Sequence, residues 1–143
     1  MSGSAIETAA LQSTPFFSGL APEDLQGIVD VGRSVSYTAG DPIVEEGDPG
    51  DGMYIVVSGE ARVDVGGRFH MLKPGDFFGE MALIAPGKRM ATVRAETDVE
   101  ALKIPAEEIQ TFLMEHPGVA LAMLRAIVLR LREVEQRIDA WMA

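Results

Sequence analysis

Gly47-Asp48-Pro49-Gly50-Asp51-Gly52-Met53-Tyr54-Ile55-Val56-Val57-Ser58-Gly59-Glu60-Ala61-Arg62-Val63-Asp64-Val65-Gly66-Gly67 sets the texture of this chain. Short apolar runs rich in β-branched residues alternate with Gly, Asp and Pro. Gly66-Gly67 between two such runs signals a tight hairpin, because both central positions of the favoured turn need positive φ. Working outward, the same texture predicts strands at Ser34–Tyr37, Pro42–Val44, Met53–Val57, Glu60–Val65, Phe69–Leu72, Ala91–Ala95 and Val99–Ile104. Further breaks fall at Ala39-Gly40-Asp41 and Lys73-Pro74-Gly75-Asp76. Many short strands separated by turn signals predict a small barrel or sandwich.

The strand texture has helical flanks. Ser13-Thr14-Pro15 is the first turn signal. Pro22 then suits a first helical position, with Glu23 and Asp24 complementing the helix dipole, and Leu25, Ile28 and Val29 recur at helical spacing up to Val31. At the other end, Pro105-Ala106-Glu107-Glu108 opens a helix to His116, and Pro117 starts a long one through roughly Trp141. The expected fold is mainly β with flanking helices: a jelly-roll-like β-roll over about 33–104, short N-terminal helices, and two C-terminal helices over about 105–141. The 143 residues read as one domain, 1–143, long enough for one core.

Composition narrows the function. Lys+Arg is 12 and Asp+Glu is 22, a net charge of −10. Such a surface repels a phosphate backbone, so nucleic acid is not an expected partner, and any anionic ligand needs a local basic site. There is no cysteine, which removes disulfides, thiolate metal sites and thiol catalysis. His70 and His116 are too few for most metal sites or triads, and no nucleophile elbow or Walker loop occurs. No metal, cofactor or catalytic residue is expected. The N-terminus has no basic region and carries Glu7, and the apolar stretch Val119–Leu131 is short and interrupted by Arg125 and Arg130. The expectation is a cytoplasmic protein with no membrane partner.

The most informative stretch for chemistry is Phe78-Gly79-Glu80-Met81-Ala82-Leu83-Ile84-Ala85-Pro86-Gly87-Lys88-Arg89-Met90-Ala91-Thr92-Val93, between two predicted strands. Gly-Glu opens a short helical turn whose free N–H groups favour an anion. Arg89 offers a charge-assisted, bidentate-capable phosphate contact. Glu80 can accept hydrogen bonds from a ribose or vicinal hydroxyl. One carboxylate, one guanidinium and a set of N–H groups suit a sugar phosphate. The same residues also suit an ordinary turn carrying a surface Arg and Glu.

This stretch resembles the phosphate-binding cassette of cyclic-nucleotide-binding domains, the family that includes protein kinase A regulatory subunits and the catabolite activator protein. Phe78, Gly79, Glu80, Ala82, Leu83, Arg89, Ala91, Thr92 and Val93 match its pattern, and Arg89 follows Glu80 by nine residues, as in kinase-type cassettes. Gly47, Asp48, Gly50, Asp51, Tyr54 and Val56 match a second family stretch, and Gly59 and Pro74-Gly75-Asp76-Phe77 fit as well. The resemblance implies that Arg89 pairs with a cyclic phosphate and Glu80 holds the ribose 2′-OH. The backbone N–H groups of Gly79, Ala82 and Met90 complete the cradle, with Ala91 beside them. Asp51 orients Arg89, supported by Thr92. Lys88 stands where the family often has Pro and reads as solvated. Met90 lacks the hydroxyl that cGMP-preferring members commonly offer, which tilts the expected ligand to cAMP over cGMP.

The last helix carries Leu124, Ile127, Leu131, Val134, Ile138 and Trp141 at 3,4 spacing, a short heptad seam, with Arg130 and Glu135 as a favourable cross-pair. The seam predicts either a homodimer or packing on the chain's own β-roll. By resemblance, the same helix also caps the base, with Arg130, Leu131, Val134 and Glu135 as candidates. The family's DNA-binding module has no room before Ala143, so output is expected through an unknown downstream protein or through dimerisation. A ligand-free scaffold of the same fold is the alternative. Glu45, Glu46, Asp48 and Asp51 lack EF-hand spacing, and a cupin-type enzyme lacks its histidines. His116 reads as a helix-end residue near carbonyls.

Overall fold

The computed structural model describes residues 2–83 and 87–142; the side chains of residues 2–5, Met81, Leu83, Arg130 and 139–142 lie outside that description. Two helices, α1 (Ser2–Gln12) and α2 (Pro22–Val31), precede eight strands: β1 (Arg33–Tyr37), β2 (Pro42–Val44), β3 (Gly52–Ser58), β4 (Ala61–Val65), β5 (Arg68–Leu72), β6 (Phe77–Phe78), β7 (Thr92–Ala95) and β8 (Val99–Pro105). A 3-10 turn, Glu80–Leu83, sits between β6 and β7. Helices α3 (Ala106–Glu115) and α4 (Pro117–Met142) close the chain. The strands form two four-stranded antiparallel sheets, ordered β1-β8-β3-β6 and β2-β7-β4-β5. This is the β-roll with flanking helices that the strand texture predicts.

The period of two explains how one strand serves two cores. Along β3, Met53 and Ile55 join the cluster of Leu25, Ile28, Ile104, Ile109 and Val119, which lies under the helices. Tyr54 and Val56 point the other way, into the cluster of Val63, Phe78, Val93 and Val99 shared by both sheets. Residues 52–56 are therefore buried without interruption, since neither face meets water. Strand β8 divides likewise, with Leu102 and Ile104 on the helix side and Val99 and Ala101 inside the roll. Each such buried aliphatic side chain contributes about 2 kcal/mol from area removed from water.

The turns follow the glycines. Val65 pairs with Arg68, so Gly66-Gly67 is a two-residue hairpin, and both glycines have positive φ (55° and 80°) as that turn requires. Helix α2 runs over the predicted span, with Pro22 at its start and Glu23 and Asp24 in its first turn. Strand β6 escapes a texture-based reading because it has two residues; α1 and α2 are the short N-terminal helices expected, although the Ala, Ser and Thr of α1 give it little amphipathic pattern to mark its bounds. The Nδ1 of His116 lies 3.0 Å from the Phe112 carbonyl oxygen at the end of α3, the carbonyl-side position expected for it.

Helix α4 has its buried residues near its start. Val119 and Met123 are buried in the helix-side core. Beyond Met123 every described side chain is exposed or half-buried: Leu124 and Leu131 are each 56% exposed, Val134 39% and Ile138 50%, with Ile127 half-buried. Most of the seam residues thus present a large part of their surface to solvent, and the side chain of Trp141 lies outside the described residues. No single helix among the described residues is long and apolar enough to cross a membrane.

Candidate functional site

The turn after β6 and the strand β7 enclose a cavity of about 350 Å³, lined by Val44, Gly50, Val63, Phe78, Gly79, Glu80, Ala82, Gly87, Lys88, Arg89, Met90, Ala91 and Val93. Its walls are apolar residues of the inner core, and its polar groups converge from one segment. The lining brings together Gly79, Glu80, Ala82, Arg89, Met90 and Ala91, the residues that the resemblance singles out. Residues 84–86 of that segment lie outside the described residues.

Arg89 is the charged group at the bottom. It is 8% exposed, an unusual burial for a guanidinium in a chain without a resident counter-ion at every edge. One edge is held: Nη2 donates to the backbone oxygen of Gly52 at 2.9 Å and to Asp51 Oδ1 at 3.2 Å. The opposite nitrogen, Nη1, faces Gly79, where an added Cβ would come within 2.3 Å of it. Gly79 itself has φ +79°, a conformation that L side chains rarely adopt. The glycine is needed twice, for its backbone and for the room it leaves the arginine.

The backbone of Arg89 is clamped as firmly. Its N–H donates to Asp48 O at 2.7 Å, and its carbonyl accepts from Gly47 N–H at 2.9 Å. Gly50 N–H donates to Gly87 O at 2.7 Å, and Pro49 and Lys88 form an antiparallel bridge. The acidic, glycine-rich loop before β3 is thus the brace of the arginine. Thr92 belongs to that brace: its Oγ1 accepts from Glu46 N–H at 3.1 Å, next to the Gly47 contact. Among the described residues no group of three or more His, Asp or Glu converges as a metal site.

Asp51 orients Arg89, but it has a second partner. Lys103 on β8 donates from Nζ to Oδ2 at 2.8 Å. The Lys103 hydrogen bond, foremost, holds the Asp51 carboxyl below its ordinary range, with Arg89 adding to the effect. Tyr54 lies beneath both cations, with Arg89 Cζ 5.7 Å and Lys103 Nζ 5.6 Å from its ring centroid, and stacks on Phe78 at 4.9 Å. Burial raises the Tyr54 pKa, so the ring stays neutral under the cations. Sequence reasoning missed Lys103 and the platform role of Tyr54. Their only signal is the strand register that sets Tyr54 opposite Lys103.

Other expected parts fall differently. Glu80 opens the 3-10 turn, half-buried at the cavity wall, and among the described residues its carboxylate has no partner. The N–H of Ala82 donates to Gly79 O at 3.1 Å, closing the 3-10 turn, so it is not a free donor. Met90 is 76% exposed at the rim and Lys88 is exposed beside it. Leu131, Val134 and Glu135 are exposed on α4 and do not line the cavity. The side chain of Arg130 lies outside the described residues. Among the described residues, none of α4 lines this cavity.

A buried arginine held along one edge, a carboxylate with no partner among the described residues and apolar walls are a set of groups chemically suited to a small anion joined to a hydroxylated, partly apolar body. Comparison with known proteins shows what the chain is similar to. Residues 34–116 match the family model for the cyclic nucleotide-binding domain. The chain is 33% identical over 135 residues to the cyclic AMP receptor protein of Thermus thermophilus, covering 90% of this chain and 62% of that protein. It is 39% identical over 108 residues to a cAMP-dependent protein kinase regulatory subunit of Aspergillus fumigatus, covering 73% and 26%. The chain thus spans less than two thirds of these relatives. Among solved structures, the N-terminal domain of a transcriptional regulator from Streptomyces coelicolor superposes with a TM-score of 0.80 at 34% identity, covering 90% of this chain and 94% of that one.

Proposed function

The chain belongs to the cyclic nucleotide-binding domain family, and from that premise we propose that it is a regulatory domain that binds cAMP reversibly. The observation that carries this reading is Arg89: buried, held along one edge by Asp51 and Gly52, and facing Gly79 with the other. A cyclic phosphate monoanion takes the free edge. The unpartnered Glu80 carboxylate accepts from the ribose 2′-OH, and the N–H groups of Gly79 and Met90 complete the cradle. The apolar walls Val44, Val63 and Val93 face the sugar and base. Met90 brings no hydroxyl to a guanine, which favours adenine.

Family members of this type are regulatory binding modules, typically without catalysis, and we assign this chain the same role. The exposed α4 seam supports output through a homodimer: Leu124, Ile127, Leu131, Val134, Ile138 and Trp141 would pair with a second copy, and ligand binding would draw α4 toward the open cavity as a cap. A cytoplasmic location fits a ligand made inside cells.

Calorimetric titration with cAMP, cGMP and AMP tests the reading. Wild type binds cAMP at micromolar or lower Kd, cGMP less tightly and linear AMP much less. Arg89→Ala loses on the order of 2–4 kcal/mol, roughly 30- to 1000-fold. Equal affinity in wild type and Arg89→Ala, or no binding of either cyclic nucleotide, refutes it and leaves the ligand-free scaffold.

A further inference from the structure

Two cations converge on Asp51 behind the cavity, and the function just proposed uses only one. Arg89 Nη2 takes Oδ1 at 3.2 Å; Lys103 Nζ takes Oδ2 at 2.8 Å. The Lys103 side chain is 23% exposed, and it stands on β8 between Arg33 of β1 and Tyr54 of β3. It does not line the cavity, so it reaches a ligand only through Asp51. Both cations also rest over the Tyr54 ring, at nearly equal distances.

The charge balance gives this arrangement a consequence. Arg89 and Asp51 alone would form a neutral pair, and a neutral pair attracts an anion weakly. With Lys103 the group keeps a net charge of plus one. That residue of positive charge matters in a chain of net charge −10 whose neighbouring loop holds Glu45, Glu46 and Asp48. The second carboxylate oxygen is also spoken for, so Asp51 orients Arg89 through one oxygen and does not draw the guanidinium off as a full bidentate partner.

Resting on the reading of the cavity as a cyclic nucleotide site, we propose that Lys103 is a positioning residue that neutralises Asp51, so that Arg89 presents its charge to the ligand phosphate and not to its own anchor. The Asp51 carboxyl, held ionised mainly by Lys103, agrees with that role.

The test is calorimetric titration of cAMP into wild type, Lys103→Met, Lys103→Arg and the double variant Lys103→Met/Asp51→Asn, at low and at high salt, with each variant's fold checked by circular dichroism melting. Lys103→Met is expected to weaken binding roughly fivefold at low salt, with the gap narrowing as ionic strength screens the lost charge. Lys103→Arg keeps the affinity. The double variant regains most of it, because removing the carboxylate charge restores the net plus one while Asn still accepts from Arg89. Unchanged affinity in Lys103→Met overturns the proposal. So does a loss that persists at high salt and is not recovered in the double variant, which would make Lys103 a packing residue only. Wild type binding neither cAMP nor cGMP is a separate outcome, which refutes the functional reading itself and this inference with it.

Discussion

Gly79→Ala is the substitution that most directly examines the geometry around Arg89. The new Cβ would come 2.3 Å from Arg89 Nη1 and 2.9 Å from the Gly52 carbonyl oxygen, far inside contact distance, and at φ +79°. The positive φ alone costs an L residue roughly 1–2 kcal/mol. Relieving the clash adds about 1–3 kcal/mol, because Gly52 O is backbone and Arg89 is pinned by Asp51 and clamped at its own N–H and carbonyl. The sum, about 2–5 kcal/mol, divides between two readouts. Whatever strain stays in the backbone appears in the urea midpoint. Whatever is relieved by swinging Arg89 out of place appears as lost cAMP affinity in calorimetry. Gly118→Ala is the matched control: it is the second residue of α4, meets nothing within 4 Å and has no positive φ, so it stays neutral or gains up to about 1 kcal/mol. A Gly79→Ala protein with wild-type urea stability and wild-type affinity would refute the placement of Arg89 against Gly79.

The remaining predictions concern Glu80, Asp51 and α4. Glu80→Gln weakens cAMP binding without loss of fold, and 2′-deoxy-cAMP binds wild type more weakly than cAMP but binds Glu80→Gln with little further change; equal binding of the two ligands to wild type removes the ribose role of Glu80. Folding lowers the Asp51 pKa from its ordinary value of 3.8, so its ion pairs stabilise the fold fully above that pH, and this stability drains as pH falls through the folded value. Asp51→Asn should flatten that acid limb of a melting-temperature profile, by a small amount since the side chain is 62% exposed. Leu131→Glu leaves chain stability within about 0.5 kcal/mol, because Leu131 is already 56% exposed, but converts a dimer to monomer in sedimentation. A wild type that sediments at 15.4 kDa at tens of micromolar, with and without cAMP, rules out the α4 seam as an interface.

Much of this protein is written in local pattern. Gly66-Gly67 sets a hairpin because two consecutive positive φ values exclude nearly every other pair, and Val65 and Arg68 indeed face one another across it. Pro22, Glu23 and Asp24 mark the start of α2 because a helix N-terminus wants neither a first N–H donor nor a positive charge. The stretch from Phe78 to Val93 carries its glycine, carboxylate and guanidinium within one segment, which by itself suits a sugar-phosphate site or an ordinary turn alike; the resemblance to cyclic-nucleotide-binding domains is what favours the first.

What tertiary structure decided is everything that depends on which strands become neighbours. Asp51 and Lys103 are 52 residues apart, and only the β3–β8 register brings Nζ within 2.8 Å of the carboxylate. No local signal distinguishes Lys103 from any other lysine on a strand, because its partner is chosen by sheet order and not by sequence distance. The two-residue β6 exists only because β3 offers it an edge. The burial of Arg89 follows from a loop that wraps it from 41 residues upstream, at Asp48. On α4, hydrophobic spacing specified a stripe but not what covers it. Val119 and Met123 are buried in the helix-side core, whereas Leu124, Leu131, Val134 and Ile138 are largely exposed, a difference that spacing along the helix does not encode. Periodicity encodes which face of an element is apolar; the direction that face points is a property of the packed whole.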